Sequence, residues 1–192
     1  NGDVCYLHLI TDAYSRMIVG WELADTLRAS ITIKALEQAI SQTGGVSLEG
    51  LTHHSDRGVQ YCCDDYVRML QTHKIKISMT EDYNPTDNAI AERANGVIKT
   101  ETVYSRKTFN SLEHARNVIG RFIHFYNYRR PHMSIGYKIP AVVHTETGAQ
   151  KKMWKKKNYP KKAYNNGNNG ISLPCRTTGA DDGCNHHTVY SI

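Results

Sequence analysis

The sequence predicts an α/β fold. Three observations support it: two apolar runs joined by turn residues near the amino terminus, a helical repeat directly after them, and a strand–helix–strand unit in the middle of the chain. Val4 to Ile10 is rich in apolar and aromatic residues and reads as a strand. Thr11-Asp12-Ala13-Tyr14-Ser15 is turn chemistry, and Met17 to Leu23 reads as the returning strand of a hairpin. Asn1-Gly2, just before them, is a strong short hairpin-turn signal, so a further strand is implied upstream. Within residues 30–42, Ile33, Leu36, Ala39 and Ile40 recur at helical spacing until Gly44-Gly45 stop the helix. Leu51 to Ser55 is a short strand closed by Asp56-Arg57-Gly58. A helix of about ten residues around Tyr66 to Gln71 then leads to another strand, Ile75 to Met79, consistent with parallel pairing.

The second half reads as helical. Glu81 to Thr86 contains Asn84-Pro85 and reads as a loop, after which Asp87 or Asn88 can cap a helix running to about Tyr104. The next helix, from Ser111 to about Tyr128, places Ala115, Val118, Ile119, Phe122, Ile123 and Tyr126 on one face, and Arg130-Pro131 ends it. Past residue 146 the periodicity fades into a Lys-rich and then Asn/Gly-rich stretch. Residues 1–146 are therefore read as the globular core and 147–192 as a basic, low-complexity tail without fixed structure.

With 192 residues and 21.7 kDa the chain has room for one ordinary domain, or one domain and a tail. Its 40% hydrophobic and 22% charged residues are those of a globular chain, and no apolar run is long enough to cross a membrane. It opens on Asn1 with no targeting pattern after it and is expected to begin partway through a longer protein. The net charge of +6 is unevenly spread: residues 1–92 carry 7 Lys+Arg against 13 Asp+Glu, residues 93–130 carry 8 against 2, and residues 150–192 again 8 against 2. An acidic half followed by a basic stretch fits carboxylates holding a cation beside a phosphate-binding surface. Five cysteines with no C-x-x-C pair indicate neither a disulfide framework nor a zinc ribbon, which fits a reducing, cytoplasmic setting.

Two carboxylates are candidates for chemistry. Asp56 sits where a strand gives out, and Gly58 allows the tight turn that exposes it at the carboxyl edge of the sheet. Glu92 lies in the first turn or so of a helix, on one face with Gly96 and Lys99. Hard oxygen donors of this kind suit Mg²⁺ or Mn²⁺, completed by waters and substrate phosphate oxygens. Arg93, Lys99 and Lys107 would then lie along a bound strand, with Arg129 and Arg130 as further phosphate contacts. His53 and His54 are expected as half-buried strand residues, and Tyr126 as core.

Taken together, three segments resemble bacterial insertion-sequence transposases with a retroviral-integrase-type catalytic core. They are His54-Ser55-Asp56-Arg57-Gly58-Val59-Gln60-Tyr61, Asp87-Asn88-Ala89-Ile90-Ala91-Glu92-Arg93, and Tyr126 to Tyr137 with Pro140. The resemblance covers about residues 4–145, and the 35 residues at 57–91 separate Asp56 from Glu92 as in the family's last two acidic ligands. It implies a ribonuclease-H-like mixed sheet flanked by helices, in which two divalent ions held by three carboxylates support DNA strand cleavage and transfer by water or a 3′-hydroxyl. Asp56 and Glu92 match two of those carboxylates. The first belongs on the strand entering the hairpin turn, upstream of Asn1, so the chain as written is expected to have little strand-transfer activity of its own. Asp12 and Asp3 are not expected to replace it. The resemblance further implies DNA partners, both element ends and target, and a homo-oligomer at full length. Two other readings remain: a non-catalytic DNA-binding or assembly fragment, and a nuclease of the ribonuclease H or resolvase kind sharing the fold.

Overall fold

The computed structural model describes residues 4–79, 89–105, 108–150 and the strand at 188–191. A five-stranded sheet is covered on both faces by helices. Strands β1 (Tyr6–Asp12) and β2 (Ile18–Ala24) form the expected antiparallel hairpin, in register from Tyr6 opposite Ala24 to Ile10 opposite Gly20, with an irregularity at Thr11. Helix α1 (Ala29–Ser41) follows, then β3 (Thr52–Ser55), α2 (Asp64–Thr72) and β4 (Lys76–Met79). β3 and β4 pair in parallel, as the strand–helix–strand reading requires. Helix α3 (Ala89–Ile98) runs directly into a π-helical turn, Lys99–Val103, and α4 (Leu112–Tyr128) is capped by the Ser111 hydroxyl, which accepts from the His114 N–H at 3.0 Å. A short helix, α5 (Pro140–His144), begins with proline at its first position.

The strand order is β2-β1-β5-β3-β4, where β5 is Thr188–Ser191. This differs from the expectation that residues 147–192 lack fixed structure. Four of them occupy the centre of the sheet, antiparallel to β1 at Ile10, Thr11 and Asp12 and parallel to β3 along Thr52 to Ser55. The remainder of that range from 151 to 187 lies outside the described residues, as does the predicted loop at Glu81 to Thr86.

Each sheet face carries its own core. On one side Ile10, Val19, Ala35, Leu36, Tyr61, Tyr66 and Leu70 join the sheet to α1 and α2. On the other, Leu9, Ile18, Leu23, Ile98, Ala115, Ile119, Ile123 and Tyr126 join it to α3 and α4. Alternate residues of β1 and β2 divide between the two, as the pleat demands. Phe122, expected with the buried stripe of α4, is only partly buried and packs at its margin, while Asn127 takes an inner place. Helix α1 approaches β2 at Gly20, where a β-carbon would stand 2.1 Å from the Ala35 carbonyl oxygen, so only glycine permits this separation.

Candidate active site

Asp56 follows the last residue of β3 and is half-buried. Its Oδ1 accepts the Gly58 N–H at 2.8 Å, and a β-carbon on Gly58 would fall 2.8 Å from that same oxygen, so the glycine shapes the turn that holds the carboxylate. Which face it serves follows from the pleat. His53 lies on the α2 side, with Nε2 2.9 Å from the Tyr66 hydroxyl, and His54 lies on the other, with Nδ1 2.9 Å from Ser78 Oγ. One pleat further, Asp56 leaves β3 on the same side as His54, the side on which α3 packs.

Helix α3 presses Ala91, Ala94 and Ile98 inward. Glu92, Gly96 and Lys99 are exposed along one flank beside that stripe, as their spacing predicts. Arg93 falls about 100° further round, on the outward side, at 3.6 residues per turn. The π turn begins at Lys99, where the Tyr104 N–H reaches back five residues to the Lys99 carbonyl at 2.9 Å. Such turns insert a residue into a helix and recur at functional sites. The Thr100 and Thr102 hydroxyls donate to the Gly96 and Ile98 carbonyls at 2.8 and 2.6 Å, satisfying acceptors near the insertion.

The basic candidates separate. Arg130 grips Glu101 of the π turn at 2.6 Å and so ties the end of α4 to α3. Arg16, Arg93 and Arg130 all lie close enough to His132 to act on its charge; burial first, and then these cations, hold its pKa down to about 4. Arg16 was not among the sequence-derived candidates; it sits in the β1–β2 turn with a left-handed backbone, φ 68°. Arg129 and Lys99 are exposed. Lys107 lies outside the described residues.

Asp12 is built into the scaffold. Its oxygens accept from the backbone N–H groups of Tyr14 and Ser15, each at 3.1 Å, from the Ser15 hydroxyl, and from His144 Nδ1 at 3.0 Å. Burial works against ionisation, but these donors outweigh it and hold the carboxyl below its ordinary range, while the same contact raises His144. Ser15 and Asp12 face the same nitrogen of His144, so the trio is a clamp and not a relay. Register places it away from Asp56: Asp12 is level with Val189 and His53, whereas Asp56 comes after Ser55, which is level with Ser191 and Ile10. Among the described residues no group of three or more acidic, His or Cys side chains is placed to hold a metal ion. No described helix is long and apolar enough to cross a membrane.

A mixed sheet clad on both faces, with an acidic residue at a strand's carboxyl end and another on the helix crossing that face, is the architecture of an integrase catalytic core. Sequence patterns of the integrase core domain match residues 1–85 and 73–140. The chain belongs to this family, and its relatives include proteins of bacterial insertion sequences. It is 34% identical over 149 residues to the transposase assigned to insertion sequence element IS986/IS6110 of Mycobacterium tuberculosis, covering 76% of this chain and 54% of that one. It is 37% identical over 137 residues to a 31 kDa protein of insertion element IS600 from Shigella sonnei, covering 71% and 49%. The chain therefore spans about half the length of these relatives.

Solved structures agree on the fold. The HTLV-2 integrase catalytic core domain in complex with magnesium superposes with a TM-score of 0.54 at 21% identity, covering 72% of this chain and 83% of that one. A simian T-cell lymphotropic virus intasome, in complex with PP2A regulatory subunit B56 gamma, gives 0.60 at 19% identity, covering 81% and 54%.

Proposed function

We propose that this chain is the metal-dependent core of a DNA transposase, built to cleave a phosphodiester and join strands by attack of water or a 3′-hydroxyl. The observation that supports it is that Asp56 leaves β3 on the sheet face against which α3, the helix bearing Glu92, packs over β1, in a chain of the integrase core family. The donor chemistry fits Mg²⁺ or Mn²⁺. One oxygen of Asp56 is engaged by Gly58, leaving Oδ2, and Glu92 is exposed; two carboxylates with waters and substrate phosphates suffice for one octahedral ion. When bound, such ions lower the pKa of a coordinated nucleophile and neutralise charge on the phosphate under attack.

The chain's own residues do the rest. The Gly58 N–H orients the Asp56 carboxylate, and the flank of α3 offers Lys99 to the DNA backbone beside Glu92. Arg93, Lys107, Arg129 and Arg130 complete the phosphate-contacting set, with Arg130 shared with Glu101. Contacts of this kind position DNA without reading its sequence. Element ends and target DNA are the proposed partners, in a homo-oligomer of the full-length protein, acting in the bacterial cytoplasm at the nucleoid.

Among the described residues no third carboxylate is grouped with these two, and two alone hold a metal pair weakly, so the chain alone is expected to turn over little. The same observation favours the second reading, a fragment that binds DNA or assists assembly without chemistry. A Mg²⁺-dependent nicking assay on element-end DNA tests this. The expected result is turnover near background that Asp56→Asn leaves unchanged. Robust turnover abolished by Asp56→Asn would overturn the inactivity and show that the site is complete.

A further inference from the structure

Cys62, Cys63 and Met79 gather at the corner where β3 and β4 end and α2 begins. Met79 closes β4, level with Ser55, the last residue before Asp56. The pleat turns it to the side taken by His53 and α2, away from α3. Cys62 is held from both directions. Tyr61 before it is buried in the core beneath α1 and α2 and meets Tyr66 edge-on at 5.5 Å. Cys63 after it is half-buried against the same core, and its carbonyl accepts the Val67 N–H at 3.1 Å as α2 starts. The Cys62 N–H itself donates to the Val59 carbonyl at 3.3 Å, and the Tyr61 N–H to the Gly58 carbonyl at 2.9 Å, so this bend continues the turn that holds Asp56.

The thiol of Cys62 is exposed, and its Sγ lies 4.0 Å from Met79 Sδ. A thiol against a thioether is ordinary packing inside a core; here the pair stands at the surface, beside a second thiol. Cys63 Sγ makes only a long contact to the Gln60 carbonyl, at 3.4 Å. Adjacent Cα atoms are about 3.8 Å apart, so rotation about the single Cα–Cβ bond of Cys63 is what its sulfur needs to join the other two.

The geometry points to a binding site for a soft, thiophilic cation, Cu(I), held by Cys62, Met79 and Cys63. Thiolate and thioether donors select such an ion over Mg²⁺, Mn²⁺ or Ca²⁺. At sulfur–metal bonds of about 2.3 Å, two ligands of a trigonal ion stand about 4.0 Å apart, the separation found between Cys62 and Met79. Structural Zn²⁺ takes four donors, and among the described residues no His, acidic or further Cys side chain is grouped with the two thiols; the methionine is what completes the set. Each thiol gives its proton to solvent as its sulfur–metal bond forms, and the ion keeps its oxidation state. Asp64 and Asp65, in the first turn of α2, add negative charge beside the cation. The inference does not rest on the roles proposed for Asp56 and Glu92: the donors are sulfur rather than oxygen, and they lie on the other side of the sheet from α3.

The test uses the full 192-residue chain carrying Cys5→Ser, Cys175→Ser and Cys184→Ser, so that Cys62 and Cys63 are its only thiols. Cu(I) is titrated without oxygen against bathocuproine disulfonate, a chelator whose colour reports the ion it holds. The expected result is one ion per chain, with a near-ultraviolet sulfur-to-copper absorption band, not displaced by a large excess of Mg²⁺. Cys62→Ser, Cys63→Ser and Met79→Leu are each expected to weaken binding by roughly tenfold or more, with the far-ultraviolet circular dichroism unchanged. Met79→Leu is the decisive variant. It conserves volume and keeps both thiols, so an adventitious thiol pair would not register the change. Unchanged affinity in any of the three variants, displacement by Mg²⁺, or failure to retain Cu(I) against the chelator would overturn the site.

Discussion

Asn127 shows how one side chain can finish a sheet. Its carboxamide accepts the Ile18 N–H and donates to the Ile18 carbonyl, both at 2.9 Å, as a neighbouring strand would. Nearby, Gln38 accepts the Trp21 N–H at 2.7 Å and Arg116 donates to the Leu23 carbonyl at 2.7 Å. Asn127→Ala leaves a donor and an acceptor of β2 buried without partners, at a cost of about 2–4 kcal/mol. Urea denaturation measures it, and a loss under about 1 kcal/mol would show that water replaces the amide readily. The residue was legible in principle: it falls four places after Ile123, in the buried stripe of α4, where a polar side chain needs a reason. Its partner was not, because nothing local links positions 18 and 127.

At the scale of elements, periodic ones were legible and short ones were not. β1, β2, α1 and α4 begin within two residues of their expected starts, because each buries one face and leaves the pattern to show it. β5 has four residues, too few for a period, and its place depends on partners more than 130 positions away. The π turn is hidden for another reason: Lys99-Thr100-Glu101-Thr102-Val103 has an ordinary helical composition, and the insertion shows only in the hydrogen bonds. Candidate site residues followed the same division. Asp56 and Glu92 are candidates because of their places at a strand end and a helix start, whereas Arg16 joins Arg93 and Arg130 only through the fold. This grouping sorts the cations. Arg93→Ala is expected to lower the salt slope of DNA binding by about one, read by fluorescence anisotropy at several ionic strengths. Arg130→Ala is expected to act first on stability, by about 0.5–1 kcal/mol, since its guanidinium already holds Glu101. An unchanged slope for Arg93→Ala would remove α3 from the DNA surface.

For the whole molecule, acid is the weak direction. Burial holds both His53 and His132 to a pKa of about 4. Both are therefore neutral when folded at pH values where the unfolded chain takes up protons. Their contribution is complete above about pH 6.5 and is lost as pH falls toward 4, at up to about 1.4 kcal/mol per pH unit for each. The Asp12–His144 clamp has a different window. Asp12 is depressed, so its share is present above about pH 4 and is lost as pH falls through its folded pKa; His144 is raised, so its share is complete below about 6.5 and is lost as pH rises through its folded pKa. Thermal unfolding between pH 7.5 and 4.5 should show the melting temperature dropping below pH 6.5, with a shallower drop in His132→Phe. A flat profile from 6.5 to 5 would mean that neither ring stays neutral on folding. The sealed margin of β2 also constrains growth. With that flank closed by Asn127, Gln38 and Arg116, and β4 at the far flank short and bearing exposed Lys76, neither outer rail invites another chain. A strand approaching the β2 margin would first have to displace the side chains already bonded to Ile18, Trp21 and Leu23.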